Sequence, residues 1–254
     1  MGDFRFAVTR RPGPELAAGL TTADLGEPDH GRALEQFDAY VAVLMGLGLD
    51  VTVMEALPGF PDAHFVEDTA VMTAEAAVIG RPGAPARDGE QGPMSEVLAE
   101  RRPLHVITAP GTLDGGDVLQ IGSHFLIGLS DRTNEEGARQ LGAVVTAEGG
   151  TWEPVPVAAG LHLKSSVNAV GPETLLVTRD FADRPQFAGY RRIVVPAGEE
   201  YAANTLLING TLIMPAGYPA TRRLLEEFCM GIIELDTGEF RRMDGGMTCL
   251  SLRW

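Results

Sequence analysis

One of the chain's two cysteines, Cys249, closes the segment Gly245-Gly246-Met247-Thr248-Cys249, just before a short apolar run. A thiol at the mouth of a terminal strand, after glycines that let the backbone turn tightly, is placed as a nucleophile would be. Polar groups that could serve it recur upstream at nearly even intervals: Glu67-Asp68, Asp114 to Asp117, His162 to Lys164, and Asn204. In this set the thiol attacks, His162 moves protons near neutral pH, and one carboxylate orients the imidazole. The remaining carboxylates raise a nearby thiol's pKa above its usual value of about 8.5. They make sense where the substrate itself carries the compensating positive charge. A guanidinium, planar and permanently cationic, is the natural match for fixed carboxylates.

The elements that must position these groups repeat. Asp68–Gly80, Asp117–Gly128, Ser166–Val177 and Asn204–Pro215 each read as two short strands around a turn, with a step of roughly 40–50 residues. One further step lands on Cys249. The last strand has no partner after it and the N-terminal strand Phe4–Thr9 has none before it, so pairing the two closes five units into a ring. Helical patterns fill the gaps at Arg32–Gly46 (Leu34, Phe37, Tyr40, Val41 and Leu44 on one stripe), Met94–Arg102, Thr133–Val145 and Thr221–Met230. The last carries Leu224, Leu225, Phe228 and Cys229 on one face, which makes Cys229 a core thiol without chemistry. The expectation is an α/β ring, a single domain over residues 1–254, whose strand starts bring Glu67, Asp68, Asp114, His162 and Cys249 to one cavity.

Composition narrows the partners. Lys+Arg 20 against Asp+Glu 35 gives a net charge of −15, which argues against nucleic acid and against an anionic membrane surface. It suits a small cationic substrate, although acidic solvation of the surface accounts for most of it. Two cysteines do not make a disulfide framework, and no signal peptide or long apolar span is visible, so the expected location is cytoplasmic. No Cys or His pair has zinc-finger or HExxH separation, and no P-loop lysine accompanies the glycines; neither metal nor cofactor is expected. His30, His64, His105 and His124 lack an acidic partner at a repeat position and receive no role.

Seven segments together carry a family resemblance: FPDAHFVEDTAV (Phe60–Val71), RPGAPAR (Arg81–Arg87), TLDGGDVL (Thr112–Leu119), RTN (Arg132–Asn134), GLHLKS (Gly160–Ser165), YAAN (Tyr201–Asn204) and DGGMTC (Asp244–Cys249). Over essentially its whole length the chain resembles the dimethylarginine dimethylaminohydrolases, bacterial type, of the pentein or guanidino-group modifying superfamily. The resemblance implies a five-bladed α/β propeller with pseudo-fivefold symmetry. It implies that Cys249 attacks the guanidinium carbon of an Nω-methylated arginine. His162 then protonates the departing methylamine or dimethylamine and activates water against the covalent thiouronium, giving citrulline. Asp114 takes the place that orients His162, where some relatives have Glu. Glu67 and Asp68 would hold guanidinium nitrogens, Arg87 and Arg132 the substrate carboxylate, and Asp62 with the carbonyls of Leu20 and Met243 the α-ammonium. The loop Pro12–Gly26, which carries Leu20, would close over the substrate. Bacterial relatives suggest a homodimer, for which the sequence itself has no signature. The rival readings are an arginine or agmatine deiminase, an amidino transferase, a non-catalytic ribosome-binding pentein, and a regulatory cation-binding module.

Overall fold

Each repeated segment folds as an antiparallel hairpin, and each hairpin gains a third, parallel strand that the sequence reading did not include. The structure, a computed structural model, describes residues 4–157, 160–228 and 231–254. β1 (Phe6–Arg10), α1 (His30–Gly46) and β2 (Asp50–Met54) come first, with β2 parallel to β1. The second blade is β3 (Ala70–Met72), β4 (Ala77–Ile79), α2 (Gln91–Ala99) and β5 (Leu104–Val106). The third is β6 (Val118–Ile121), β7 (His124–Leu129), α3 (Glu135–Ala147) and β8 (Thr151–Pro156). The fourth, β9 (Val167–Gly171), β10 (Thr174–Val177) and β11 (Arg191–Val194), uses two 3-10 turns where the others have a helix. The fifth is β12 (Leu206–Ile208), β13 (Thr211–Pro215), α4 (Pro219–Leu225) and β14 (Gly231–Leu235). After α5 (Gly238–Arg241), β15 (Leu252–Arg253) runs antiparallel to β1, with Val8 opposite Leu252 and Ala7 opposite Arg253. Five three-stranded sheets result, and the two ends of the chain share one of them.

The third strands escaped notice because they are edges. β5 and β11 each have two exposed residues and β2 is only half-buried, so they lack the apolar run of an inner strand. The predicted helix Thr221–Met230 is also shorter than expected. α4 ends at Leu225 because its core-facing residues, Thr221 and Leu225, span a single turn, and Leu224 is exposed. Cys229 lies outside the described residues.

Apolar clusters fill the spaces between neighbouring blades. α1 buries Ala33, Gln36, Phe37, Tyr40 and Leu44 at helical spacing, and Phe37 alone contributes roughly 1.5–3 kcal/mol by leaving water. Its buried Tyr40 hydroxyl sits 2.6 Å from the Ser251 hydroxyl, tying the helix to the turn that carries Cys249. Among the described residues no helix is long and apolar enough to cross a membrane.

Candidate active site

A 3-10 turn precedes each of four inner strands, at Val66–Thr69, Gly115–Asp117, Leu163–Ser165 and Glu200–Ala203, and the turn holding Cys249 precedes β15. These turns bring the polar repeat positions together. The glycines flanking them serve close approach more than backbone freedom. A Cβ on Gly115 would lie 2.0 Å from the Glu67 carbonyl oxygen, and one on Gly116 would lie 2.7 Å from the His162 ring. At Gly245 and Gly246 it would meet the Phe65 ring at 2.2 Å and the Asn204 amide at 2.4 Å. The glycine pair before Cys249 therefore acts through packing; the tight turn expected there places its positive φ, 59°, on Asp244.

Asn204 staples the nucleophile's turn to a neighbouring blade. Its amide oxygen accepts the Thr248 N–H at 3.0 Å, and its amide nitrogen donates to the Lys164 carbonyl at 3.1 Å. On the other side, the Glu67 N–H donates to the Cys249 carbonyl at 3.1 Å. Asn134 caps α3 and accepts the Thr112 N–H, while the Thr133 hydroxyl accepts the Asp114 N–H at 3.1 Å. The RTN segment thus holds the loop that presents Asp114.

His162, 5 % exposed, meets fully buried Asp114 through Nε2 at 3.2 Å, and its Nδ1 lies 3.9 Å from Asp68. Asp114 also accepts the Gly83 N–H at 3.0 Å. Burial opposes protonation of His162, but Asp68, Asp114 and Asp117 outweigh it and push the imidazole up to about 9. Asp68 pays a burial penalty too, yet His162, Arg87 and the Gly116 N–H hold it down to about 2. Cys249, half-buried, is pushed up to about 12 by burial and by the charges of Glu67 and Asp68, against weaker help from the Gly246 N–H and Lys164. The resting pair is therefore a neutral thiol and an imidazolium.

Cys249, His162, Asp68, Asp62, Arg87, Arg132, Leu20 and Met243 line one cleft. Asp114 stands behind His162 and does not line the cleft. Glu67 and Arg87 are both already paired. Glu67 turns away from the cleft: its Oε1 is taken by Lys164 at 2.7 Å and Arg253 at 3.0 Å, and it lines a separate axial cavity instead. Arg87 is already engaged, by Glu90 at 2.7 Å, Asp68 at 2.5 Å and the carbonyls of Asp62 and Phe65. It holds Asp68 in place, whereas Arg132, which lines the same cleft, has no ion pair among the described residues. Asp62, its pKa raised by burial, accepts the Leu20 N–H at 2.9 Å.

Nothing in the sequence reading marked Glu90, and Asp117 stood among the recurring polar groups without a role of its own. Glu90 stands three residues after Arg87, a spacing that could have flagged it. Asp117 accepts the Leu163 N–H at 2.9 Å and the Ser130 hydroxyl at 2.6 Å, supporting the turn that begins at His162. His64 is buried against Phe65, its pKa lowered to about 3 by burial and by Arg87, and it faces no cleft residue through a hydrogen bond. The loop bearing Leu20 is fastened over the cleft, since Asp244 accepts both the Thr22 N–H at 2.5 Å and its hydroxyl at 2.9 Å. The closed cleft keeps a cavity of about 20 Å³, room for roughly one water.

Five three-stranded α/β blades around an axis, with thiol, imidazole and carboxylates at one end of their inner strands, define a pentein of the guanidino-group modifying class. No protein-family model matches the chain. It is 41% identical to N(G),N(G)-dimethylarginine dimethylaminohydrolase of Pseudomonas aeruginosa, over 99% of this chain and 100% of that one. It is 39% identical to the enzyme of the same name from Streptomyces coelicolor, over 97% and 96%. The solved structure of a cysteine-to-serine variant of the Pseudomonas enzyme, complexed with citrulline, superposes with a TM-score of 0.97 at 40% identity and covers all of both chains. The chain belongs to the dimethylarginine dimethylaminohydrolase family and is a hydrolase.

Proposed function

We propose that this chain hydrolyses Nω-methylated arginines to citrulline and methylamine or dimethylamine, working as one catalytic unit. The observation that carries the reading is a thiol and an imidazole in one cleft lined by Asp62 and Asp68, with Arg132 in the same lining and without an ion pair among the described residues. Arg132 receives the substrate carboxylate, and Asp62 with the carbonyls of Leu20 and Met243 receives the ammonium. Asp68, ionised and fixed by Arg87, faces the guanidinium.

The bound cation offsets the field of Glu67 and Asp68, so Cys249 ionises when substrate is present rather than before, and its proton passes to solvent. Sulfur attacks the guanidinium carbon, and two lower barriers replace one high one. Asp114 occupies Nε2 of His162, which leaves Nδ1 to give its proton to the departing amine. The imidazole, now neutral, takes a proton from water; hydroxide adds to the thiouronium carbon, and collapse of that adduct breaks the C–S bond, returns the hydroxyl proton to the Cys249 sulfur and leaves citrulline.

Purified protein incubated separately with asymmetric dimethylarginine, arginine and agmatine tests the reading. Citrulline with stoichiometric dimethylamine is expected from the first, and neither from the Cys249→Ser variant. Faster ammonia release from arginine or agmatine would make the chain a deiminase. A small cationic guanidino compound is the partner this reading requires, in the cytoplasm.

A further inference from the structure

The turn at Glu200–Ala203 grips the nucleophile's segment at two points. Asn204, at its end, holds Thr248, and Tyr201, within it, reaches Gly245, where its hydroxyl donates to the carbonyl at 2.8 Å. That carbonyl belongs to the same peptide group as the Gly246 N–H, which donates to Cys249 Sγ at 3.4 Å. One amide therefore takes a hydrogen bond from the phenol at its oxygen and gives one to the sulfur from its nitrogen. The peptide has little room to rock. A Cβ on either glycine would strike the Phe65 ring or the Asn204 amide, and the Gly245 N–H is held by the Phe240 carbonyl at 2.9 Å.

The row of donors extends one residue further. A phenol has a single hydrogen and Tyr201 spends it on Gly245, so the Thr237 hydroxyl, 3.0 Å away, is the donor to Tyr201. Thr237 is 3% exposed and stands at the start of α5, where a threonine ordinarily caps the helix, yet its side chain caps nothing. It is turned to the phenol instead. Burial pushes the Tyr201 hydroxyl well above its ordinary pKa, so the phenol stays a donor.

From Thr237 to Cys249 every bond points toward the sulfur. Hydrogen bonds in such a row polarise one another: a donor at the carbonyl oxygen draws electrons from the amide nitrogen and makes its N–H a better partner for an anion. Glu67 and Asp68 oppose ionisation of Cys249, while the Gly246 N–H and Lys164 favour it. His162, Asp62, Arg87, Arg132 and Asp244 share the cleft with the thiol. The Tyr201 hydroxyl bonds to none of these charged groups, so its removal leaves them in place.

We propose that Tyr201 is a positioning residue for the nucleophile: through the Gly245–Gly246 peptide, and backed by Thr237, it strengthens the N–H that stabilises the Cys249 thiolate. This role rests on the reading of Cys249 as the nucleophile and is exercised from outside the cleft lining.

Iodoacetamide labelling of the full chain at about pH 9, followed by mass spectrometry of the peptide that holds Cys249, tests the relay without substrate. Tyr201→Phe removes the hydroxyl and keeps the ring, and labelling should slow about two- to fivefold. The lost ionisation outweighs the gain in nucleophilicity of a less stabilised thiolate, whose Brønsted slope is only about 0.4–0.5. Thr237→Val should slow labelling less, in the same direction, and Thr237→Ser should restore the original rate. A purely structural role for Tyr201 gives the opposite sign, because a loosened turn frees the thiol from burial and from the carboxylates and speeds labelling toward that of an ordinary cysteine. Unchanged or faster labelling in Tyr201→Phe would overturn the proposal, as would equal rates in Thr237→Ser and Thr237→Val. Should Tyr201→Phe not fold, the Thr237 pair decides alone. Labelling needs no turnover, so a chain inactive on methylarginines would refute the hydrolase reading and leave the relay to these rates. In the active chain kcat of Tyr201→Phe should fall about as much as labelling does, with KM within about twofold; a rise in KM at constant kcat would contradict the relay.

Discussion

Replacing Asp114 with asparagine removes a charge from behind His162 while keeping a side chain of nearly the same shape. Asparagine can still accept the Gly83 N–H that Asp114 now accepts at 3.0 Å, so the loop has no reason to move. Its amide group would then face His162 Nε2 as a donor, where a carboxylate now sits 3.2 Å away as an acceptor. Loss of an opposite charge at that distance lowers a buried group's pKa by about 1–3 units. His162 should therefore fall from about 9 to about 6–8. At about pH 8 the imidazolium fraction drops from about nine-tenths to between one-half and one-hundredth, and turnover limited by amine protonation drops with it, about 2- to 100-fold. Citrulline formation at saturating dimethylarginine, measured from about pH 5.5 to 10, reads this directly. The alkaline limb of kcat should move to lower pH, with most of the lost rate recovered on the acid side. A slower variant whose alkaline limb stays where it was would refute the argument, since it would show that Asp114 does not set the protonation of His162.

Three further outcomes follow from the same geometry. Arg132→Met should raise KM about 10- to 100-fold through loss of a charge-assisted pair worth about 1.5–3 kcal/mol, with kcat nearly unchanged; a fall in kcat at constant KM would place Arg132 in the chemistry instead. Gly245→Ala forces a methyl to within 2.2 Å of the Phe65 ring, and the overpacking should cost about 1–3 kcal/mol in denaturant unfolding as well as displace Cys249, so a variant with both stability and rate intact would contradict the packing role. Stability should decline with rising pH. His162 titrates near 6.5 when unfolded and about 9 when folded, so its contribution, up to about 3 kcal/mol, is complete below the first value and lost through the second. Cys249, near 9 unfolded and about 12 folded, extends the decline above pH 9, and a denaturation midpoint that is flat from about pH 6.5 to 10 would rule both out.

Much of the ring was legible because the inner hairpins are apolar and start at polar or charged residues at a steady interval. The closing pair, β1 with β15, followed from counting unpaired strands. The outer parallel strands were illegible for the opposite reason: a short edge strand after a helix has no pattern that separates it from a loop. At the site, residue types showed which groups converge but not which way they face. Glu67 and Asp68 are consecutive, yet one serves Lys164 and Arg253 while the other serves the cleft, because the 3-10 turn at Val66–Thr69 points adjacent side chains in different directions. The resemblance implies a substrate-binding role for Arg87, and only the position of Glu90 and Asp68 around it reveals that most of its donors are already engaged.

The bond between the Glu67 amide and the Cys249 carbonyl, together with the clasp of Asn204 on Thr248, gives the ring a property that no fragment of it shares. The reactive sulfur is oriented by groups contributed from distant parts of the chain, so opening any one seam between blades loosens it. Chemical labelling of that sulfur is accordingly a gauge of assembly: a partly folded chain would expose an ordinary cysteine, reactive toward any alkylator, and completion of the circle would turn it into one that waits for a cation.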